Sequence, residues 1–102
     1  MSSIYDANTL RKVATDAELA RLAHLRNDVL PELIAIINDN NFTAASSEDC
    51  IAVTTINLTA RGLTDDKNKT NISNLVKNAF RNLGFKVSCD IGHDYLYVEC
   101  AW

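Results

Sequence analysis

The sequence predicts a small α+β fold: a long N-terminal helix, then strand, helix, strand and strand, with a three-stranded antiparallel sheet and helices on one of its faces. Apolar residues recur every three or four positions from Asp6 to about Asn40 and again from Ile72 to Leu83, which is typical of helices. Segments rich in β-branched and aromatic residues at 50–59 and 85–101 indicate strands. A length of 102 residues corresponds to one domain.

The long helix is predicted over residues 15–40. Thr15-Asp16-Ala17-Glu18 has the form of a capping box, which favours a start there, and the polar run Asn38–Asn41 favours an end. Residues 1–14 form an arm or a short helix, and residues 7–14 either stand apart or extend the main helix. Pro31 either kinks one long element, which we favour, or lies in the first turn of a new helix.

Residues 50–102 are predicted to form a β-α-β-β unit. Its first strand alternates imperfectly, so either both of its faces are partly covered or a bulge near Thr54-Thr55 shifts the phase. The helix that follows carries a single apolar stripe. Thr70 or Asn71 can cap its start, and Gly84 suits a left-handed ending that brings Phe85 against Phe80.

The last two strands are predicted to form a hairpin with Gly92-His93 as its two-residue turn. This register places Cys89 opposite Leu96, Val87 opposite Val98 and Phe85 opposite Cys100, all on one apolar face. On the other face it pairs Asp90 with Tyr95, Ser88 with Tyr97 and Lys86 with Glu99. Trp102 is expected to cover the end of the core near Leu83.

Composition and charge exclude several classes of protein. Apolar residues make up 47% and charged residues 23%, which is typical of a globular chain. The net charge of −3 makes nucleic acid an unlikely partner, because phosphate neutralisation needs a concentrated positive surface. No apolar run is long enough for a membrane span, and the N-terminus lacks the form of a secretion signal, so neither a membrane partner nor secretion is expected.

The residues with reactive side chains form no catalytic, cofactor-binding or metal-binding pattern, so we expect no enzyme and no cofactor. Cys50, Cys89 and Cys100 are odd in number, lack C-x-x-C spacing, and are expected to be small buried residues. His24 lies four residues before Asp28, a spacing that predicts a surface pair on a helix. No phosphate-binding, nucleophile-elbow or metalloprotease motif is present.

The sequence carries more apolar surface than one small sheet can bury, which predicts a protein interface. The tyrosines of the last strand lie on the face opposite the predicted core, beside apolar residues of the first strand. The long helix is apolar over more than one face near its C-terminal end. The predicted interface residues are Tyr95, Tyr97, Ile51, Val53, Leu30, Ile34 and Ile37.

The segments "LPELIAIINDNN", "NLGFKV" and "DYLYVECAW", in their order of helix, strand, helix and terminal hairpin, resemble a group of small proteins of tailed bacteriophages over about residues 16–102. Those proteins commonly end in an aromatic-bearing strand and a Trp. Here the ending is "ECAW" where Ile-Ser-Trp is usual. The resemblance implies a setting in the host cytoplasm or the virion and assigns no catalytic residue.

These observations lead to three functional hypotheses. The first is a non-enzymatic phage protein that acts through protein-protein contacts, either with itself as a homo-oligomer or with another phage or host protein. The second is an early phage inhibitor that binds a host or defence enzyme or sequesters a signalling nucleotide. The third is a winged-helix regulator, with residues 71–83 as recognition helix, which predicts salt-sensitive DNA binding.

Overall fold

A computed structural model describes residues 5–102 and confirms the α+β fold. The predicted N-terminal arm of residues 1–14 can therefore be followed only from Tyr5. The helices of the first half are α1 (Ala7–His24) and α2 (Leu30–Ser46), joined by a π-helical turn at Leu25–Val29. The second half consists of β1 (Ile51–Asn57), a 3₁₀ turn (Thr59–Arg61), α3 (Asp66–Arg81), β2 (Lys86–Ile91) and β3 (Tyr95–Ala101).

The N-terminal helix is longer at both ends than the predicted 15–40. The Asp6 carboxylate accepts a hydrogen bond from the Thr9 amide at 2.7 Å, so the helix begins at Ala7 and Thr15 lies inside it. Residues 7–14 thus extend the main helix. Its C-terminal end is Ser46, because the polar residues 38–41 continue the helical backbone instead of ending it.

Pro31 lies in the first turn of α2, and the helical backbone runs into α2 from α1 through the π-helical turn without a break. Since proline has no N–H and its ring presses on the carbonyl of the preceding turn, a wider turn before it relieves both problems. The structure has such a turn at Leu25–Val29, where the Leu30 amide donates to the Leu25 carbonyl. At 1.5 Å per residue the rod from Ala7 to Ser46 is about 60 Å long, and the longest dimension of the molecule is 69 Å.

The sheet has the order β1-β3-β2, and every neighbouring pair is antiparallel. Strand β1 pairs with β3 without a bulge, from Ile51 opposite Ala101 to Asn57 opposite Tyr95. Its imperfect alternation has another cause: the buried position in its middle is Thr54, whose hydroxyl accepts from the Asn40 amide at 2.9 Å. Ile51 and Val53 are consequently on the opposite, exposed face.

The hairpin register differs from the predicted one by two residues. The structure pairs Cys89 with Val98, Val87 with Cys100 and Ile91 with Leu96, and the Gly92 amide donates to the Tyr95 carbonyl at 2.7 Å. The turn residues are therefore His93-Asp94. Lys86 lies opposite Ala101 and not opposite Glu99. Because the shift is even, each side chain keeps its predicted face.

Helix α3 begins four to five residues earlier than its predicted caps, since the Asp65 carboxylate accepts from the Lys67 amide at 2.7 Å. Its predicted ending is confirmed. Gly84 has a φ of 93°, the Phe85 amide donates to the Phe80 carbonyl, and the two phenyl rings meet edge-on at 5.5 Å. Trp102 packs edge-on against Phe85 at 6.2 Å, two residues from Leu83, which is itself 73% exposed.

The hydrophobic core lies between the inner face of the sheet and two helices, with α2 over β1 and α3 over β2. The π-helical turn and α2 contribute buried residues at every fourth position. These residues form a narrow stripe, and the wider π-helical turn helps to keep them on one face of the helix. The stripe consists of Leu25, Val29, Leu33, Ile37 and Asn41. The sheet and α3 add Ile56, Ile72, Val76, Phe80, Leu96, Val98 and Cys100.

Candidate protein-interaction surface

The outer face of the sheet, the one opposite α2 and α3, is exposed in the described chain. Alternation along β1 and β3 places Ile51, Val53, Tyr95 and Tyr97 on this face. Their exposed fractions lie between 40% and 57%. An antiparallel sheet commonly presents polar residues on its solvent side, so four large apolar or aromatic side chains here point to a contact surface.

These four residues, which we call the outer patch, lie on neighbouring positions of two paired strands. The rings of Tyr95 and Tyr97 are 6.4 Å apart. Val53 lies opposite Glu99, which makes Tyr97 its diagonal neighbour and brings the ring within reach. The border is charged on its β2 side, with Lys86 and Asp90, while Glu99 lies on the central strand β3 directly opposite Val53.

The three interface residues predicted on the long helix belong mainly to the core. Ile37 is fully buried, so it cannot line an interface of the folded chain, and that prediction is wrong. Leu30 and Ile34 are half-buried and pack against the core cluster. The physical reason is that α2 packs on the sheet through these apolar residues, which were expected from the sequence to remain exposed.

The exposed part of the long helix is instead α1, in which no residue is buried. Leu10, Val13 and Leu19 are each more than half exposed. Sequence reasoning missed this segment because its apolar residues are spread around the helix and form no strong stripe. The length of the predicted helix does indicate an overhang, since so long a rod exceeds what a small sheet can cover, but it names no interface residue there.

Several titratable side chains make contacts within the fold. His24 and Asp28 form the predicted surface pair, with Nδ1 and Oδ2 at 2.7 Å. The buried Lys69 ammonium donates to the His93 carbonyl at 2.6 Å and thereby ties α3 to the hairpin turn. Within residues 5–102 no three His, Cys, Asp or Glu side chains lie together in a way that could hold a metal ion.

The cysteines were all expected to be buried, and this holds only for Cys100. Cys89 is half-buried at the sheet edge and Cys50 is exposed. Burial raises the pKa of the Cys89 thiol, and burial likewise raises the pKa of the Cys100 thiol. Both are therefore poor nucleophiles at neutral pH, because the thiolate is the reactive form.

An open groove of about 300 Å³ lies at the end of the domain where the last turns of α2 meet Phe85 and Trp102. Phe42 forms part of its wall and is 76% exposed. No periodic pattern predicts this site, because its residues come from three separate segments. A phenylalanine in a run of asparagines was the one local anomaly.

None of the described helices has the length and apolar character needed to cross a membrane. Comparisons with protein-family models, with curated proteins and with solved structures yield no match.

Proposed function

We propose that this chain is a non-enzymatic protein that acts through protein-protein contacts and that its partner at the outer patch is a second copy of itself. The observation that carries the proposal is the outer patch: four exposed apolar or aromatic side chains on a sheet face that neither α2 nor α3 covers. Tyrosine and large aliphatic residues in such a surface are typical of the centre of an interface.

The border of the outer patch supports a symmetric contact. A two-fold axis through the face repeats every border charge on the partner, so Lys86 of one copy can lie against Asp90 or Glu99 of the other. A surface with charges of one sign only would repel its own copy. The mixed border therefore permits the face-to-face arrangement.

The area of the sheet indicates that α1 takes part as well. Three strands spaced about 4.8 Å apart give a face about 14 Å wide, which alone is small beside the roughly 800 Å² per partner of a standard interface. An 18-residue helix with no buried residue has little tertiary support in a single copy. Packing α1 against the partner would supply the missing area. A phage setting, in the host cytoplasm or a virion, remains part of this proposal through the sequence resemblance alone.

Light scattering after size exclusion tests the proposal with matched variants. The wild-type protein is expected to show a mass above that of the 11.3 kDa chain and to dissociate on dilution. The double variant Tyr95→Ser/Tyr97→Ser should be a monomer with unchanged circular dichroism, because these rings lie outside the core. Leu83→Ser removes an even more exposed apolar residue away from the outer patch and should leave the mass unchanged.

Two outcomes would contradict self-association. A wild-type protein that stays monomeric at millimolar concentration would show that the outer patch does not bind a second copy. Stable, salt-sensitive binding of a DNA duplex by that monomer would favour the winged-helix hypothesis instead.

A further inference from the structure

Strand β1 is an edge strand of the sheet, and the hydrogen bonds at its two ends show which of its main-chain groups point outward. The Trp102 amide donates to the Cys50 carbonyl at 3.0 Å. Beyond the other end of the strand, the Leu58 amide donates to the Asp94 carbonyl at 2.8 Å. Since main-chain groups alternate in direction along an antiparallel strand, the even-numbered residues face β3. The outward-pointing residues are Ile51, Val53, Thr55 and Asn57.

Two of these four outward carbonyls are occupied by side chains from outside the sheet. The Asn40 side-chain amide of α2 donates to the Val53 carbonyl at 2.9 Å. The Arg61 guanidinium, from the 3₁₀ turn, donates to the Asn57 carbonyl at 2.9 Å. An added strand would lie about 4.8 Å from β1. Both donor groups therefore occupy space that the backbone of such a strand would need.

Each of these two side chains has a second contact that holds it in place. The same Asn40 nitrogen donates to the buried Thr54 hydroxyl at 2.9 Å. The other terminal nitrogen of Arg61 pairs with the Glu32 carboxylate at 3.0 Å, and the Arg61 side chain is only 23% exposed. An incoming strand would have to break two contacts at each position before it could pair with β1.

The composition of β1 gives a reason for this arrangement. Its seven residues, IAVTTIN, include no charge, no proline and no glycine. An uncharged edge strand rich in β-branched residues is the kind of segment that pairs with other chains. Without another form of protection, β1 would be open to addition of a strand from a second copy.

The opposite edge of the sheet, strand β2, is protected in a different way. The Gly92 amide donates to the Tyr95 carbonyl, so the outward residues of β2 are the odd-numbered ones. In the described chain one side chain, Arg81, reaches an outward carbonyl of β2, and its contact with Val87 is long, at 3.4 Å. This strand carries charges instead, at Lys86 and Asp90, and charged residues discourage pairing at an edge.

We propose that Asn40 and Arg61 close the β1 edge to strand addition, so that a second copy of this chain cannot extend the sheet through β1. The proposal does not depend on self-association through the outer patch. If copies meet through the outer patch, a closed edge keeps their assembly from growing sideways. If they do not, the same closed edge keeps the chain monomeric.

The test removes both side chains in a background that lacks the outer patch tyrosines. Asn40→Ala/Arg61→Ala is added to Tyr95→Ser/Tyr97→Ser, and each comparison is made with that background, whatever its own mass. Light scattering should show about a doubling of the mass, because two open edges can pair around a two-fold axis. Exchange of the outward Thr55 amide, followed by NMR, should slow as the protein concentration rises, since pairing would hydrogen-bond it.

Two further variants in the same background separate edge closure from loss of stability. Arg61→Lys keeps a charged donor beside the strand and should keep the mass of the background. Leu33→Ala weakens the core without altering the edge, so Thr55 exchange should not slow with concentration in that variant. Asn40→Ala and Arg61→Ala alone should each show a smaller shift than the combined variant, which keeps the test valid where the combined variant does not fold.

Two results would overturn the proposal. The first is an unchanged mass, with Thr55 exchange independent of concentration, in every variant that lacks Asn40 or Arg61. The second is an equal rise in mass and equal protection of Thr55 in Leu33→Ala, because lower stability alone would then account for the association.

Discussion

The two halves of the long helix have the same secondary structure but opposite surroundings. In α2 every fourth residue is buried against the sheet, whereas α1 has no buried residue at all. The halves are joined by the π-helical turn before Pro31 without an interruption in the helix. The difference shows that a segment can be helical without being packed against the rest of the fold. It also identifies α1 as the part of the long helix whose side chains are available for contact with another molecule.

The largest expected effect compares two leucines on this one helix. Leu33 is fully buried in α2, and Leu33→Ala should lower the free energy of unfolding by about 2–5 kcal/mol. Leu19 is 60% exposed in α1, and Leu19→Ala should change the stability of the monomer by less than about 0.5 kcal/mol. Urea denaturation at low protein concentration measures both. Similar losses for the two variants would mean that α1 is packed in the single chain.

A second comparison concerns local opening of the two helices. Amides of α1 should exchange with solvent far faster than those of α2 in the monomer, because exchange is slow only where buried packing holds a segment closed. Hydrogen exchange followed by mass spectrometry gives the contrast peptide by peptide. Raising the protein concentration should slow exchange in α1 if it packs against a second copy. Equal exchange in both helices at every concentration would remove the distinction.

The smallest expected effect lies at the free end of α1. Hydrogen bonding to the Thr9 amide lowers the pKa of the Asp6 carboxyl, so this cap contributes fully above the carboxyl's unfolded-state pKa and is lost as pH falls through the lower folded-state pKa. The first turn of α1 should therefore fray below about pH 4, where aspartate normally titrates, while α2 stays intact. The Cα chemical shift of Thr9 follows this change.

Asp6→Asn provides the control for that experiment. Asparagine caps helices about as well as aspartate but does not titrate in this range. The Thr9 shift of the variant should be flat where the wild-type shift moves. A parallel change in both proteins would place the acid sensitivity elsewhere in the chain.

The sequence was sufficient for the element order, the antiparallel sheet and the face on which each residue of the hairpin lies, because these follow from periodicity and from Gly84. It was insufficient for the ends of the long helix, since Asp6 and the polar residues 38–41 can cap a helix or continue it. The outer patch was predicted with its four strand residues. Ile37 was assigned wrongly because the apolar pattern around it does not reveal how much of the helix the sheet covers.

The groove beside Asn41 lay beyond prediction from the sequence. Phe42, Phe85 and Trp102 are distant in the chain, and only the tertiary packing of α2 on the sheet brings them together. The hairpin register was also beyond prediction from the sequence. Turns centred on 92–93 and on 93–94 place every side chain on the same face and differ only in which residues lie opposite each other.

Hydroxyl-radical footprinting of Tyr95 and Tyr97 over a dilution series, with the molar mass measured at each concentration, tests the central claim most directly. Self-association through the outer patch predicts that both rings are protected at high concentration and become reactive as the mass falls to that of one chain. Oxidation of both tyrosines at the same rate across the whole series, with or without a change in mass, would contradict it.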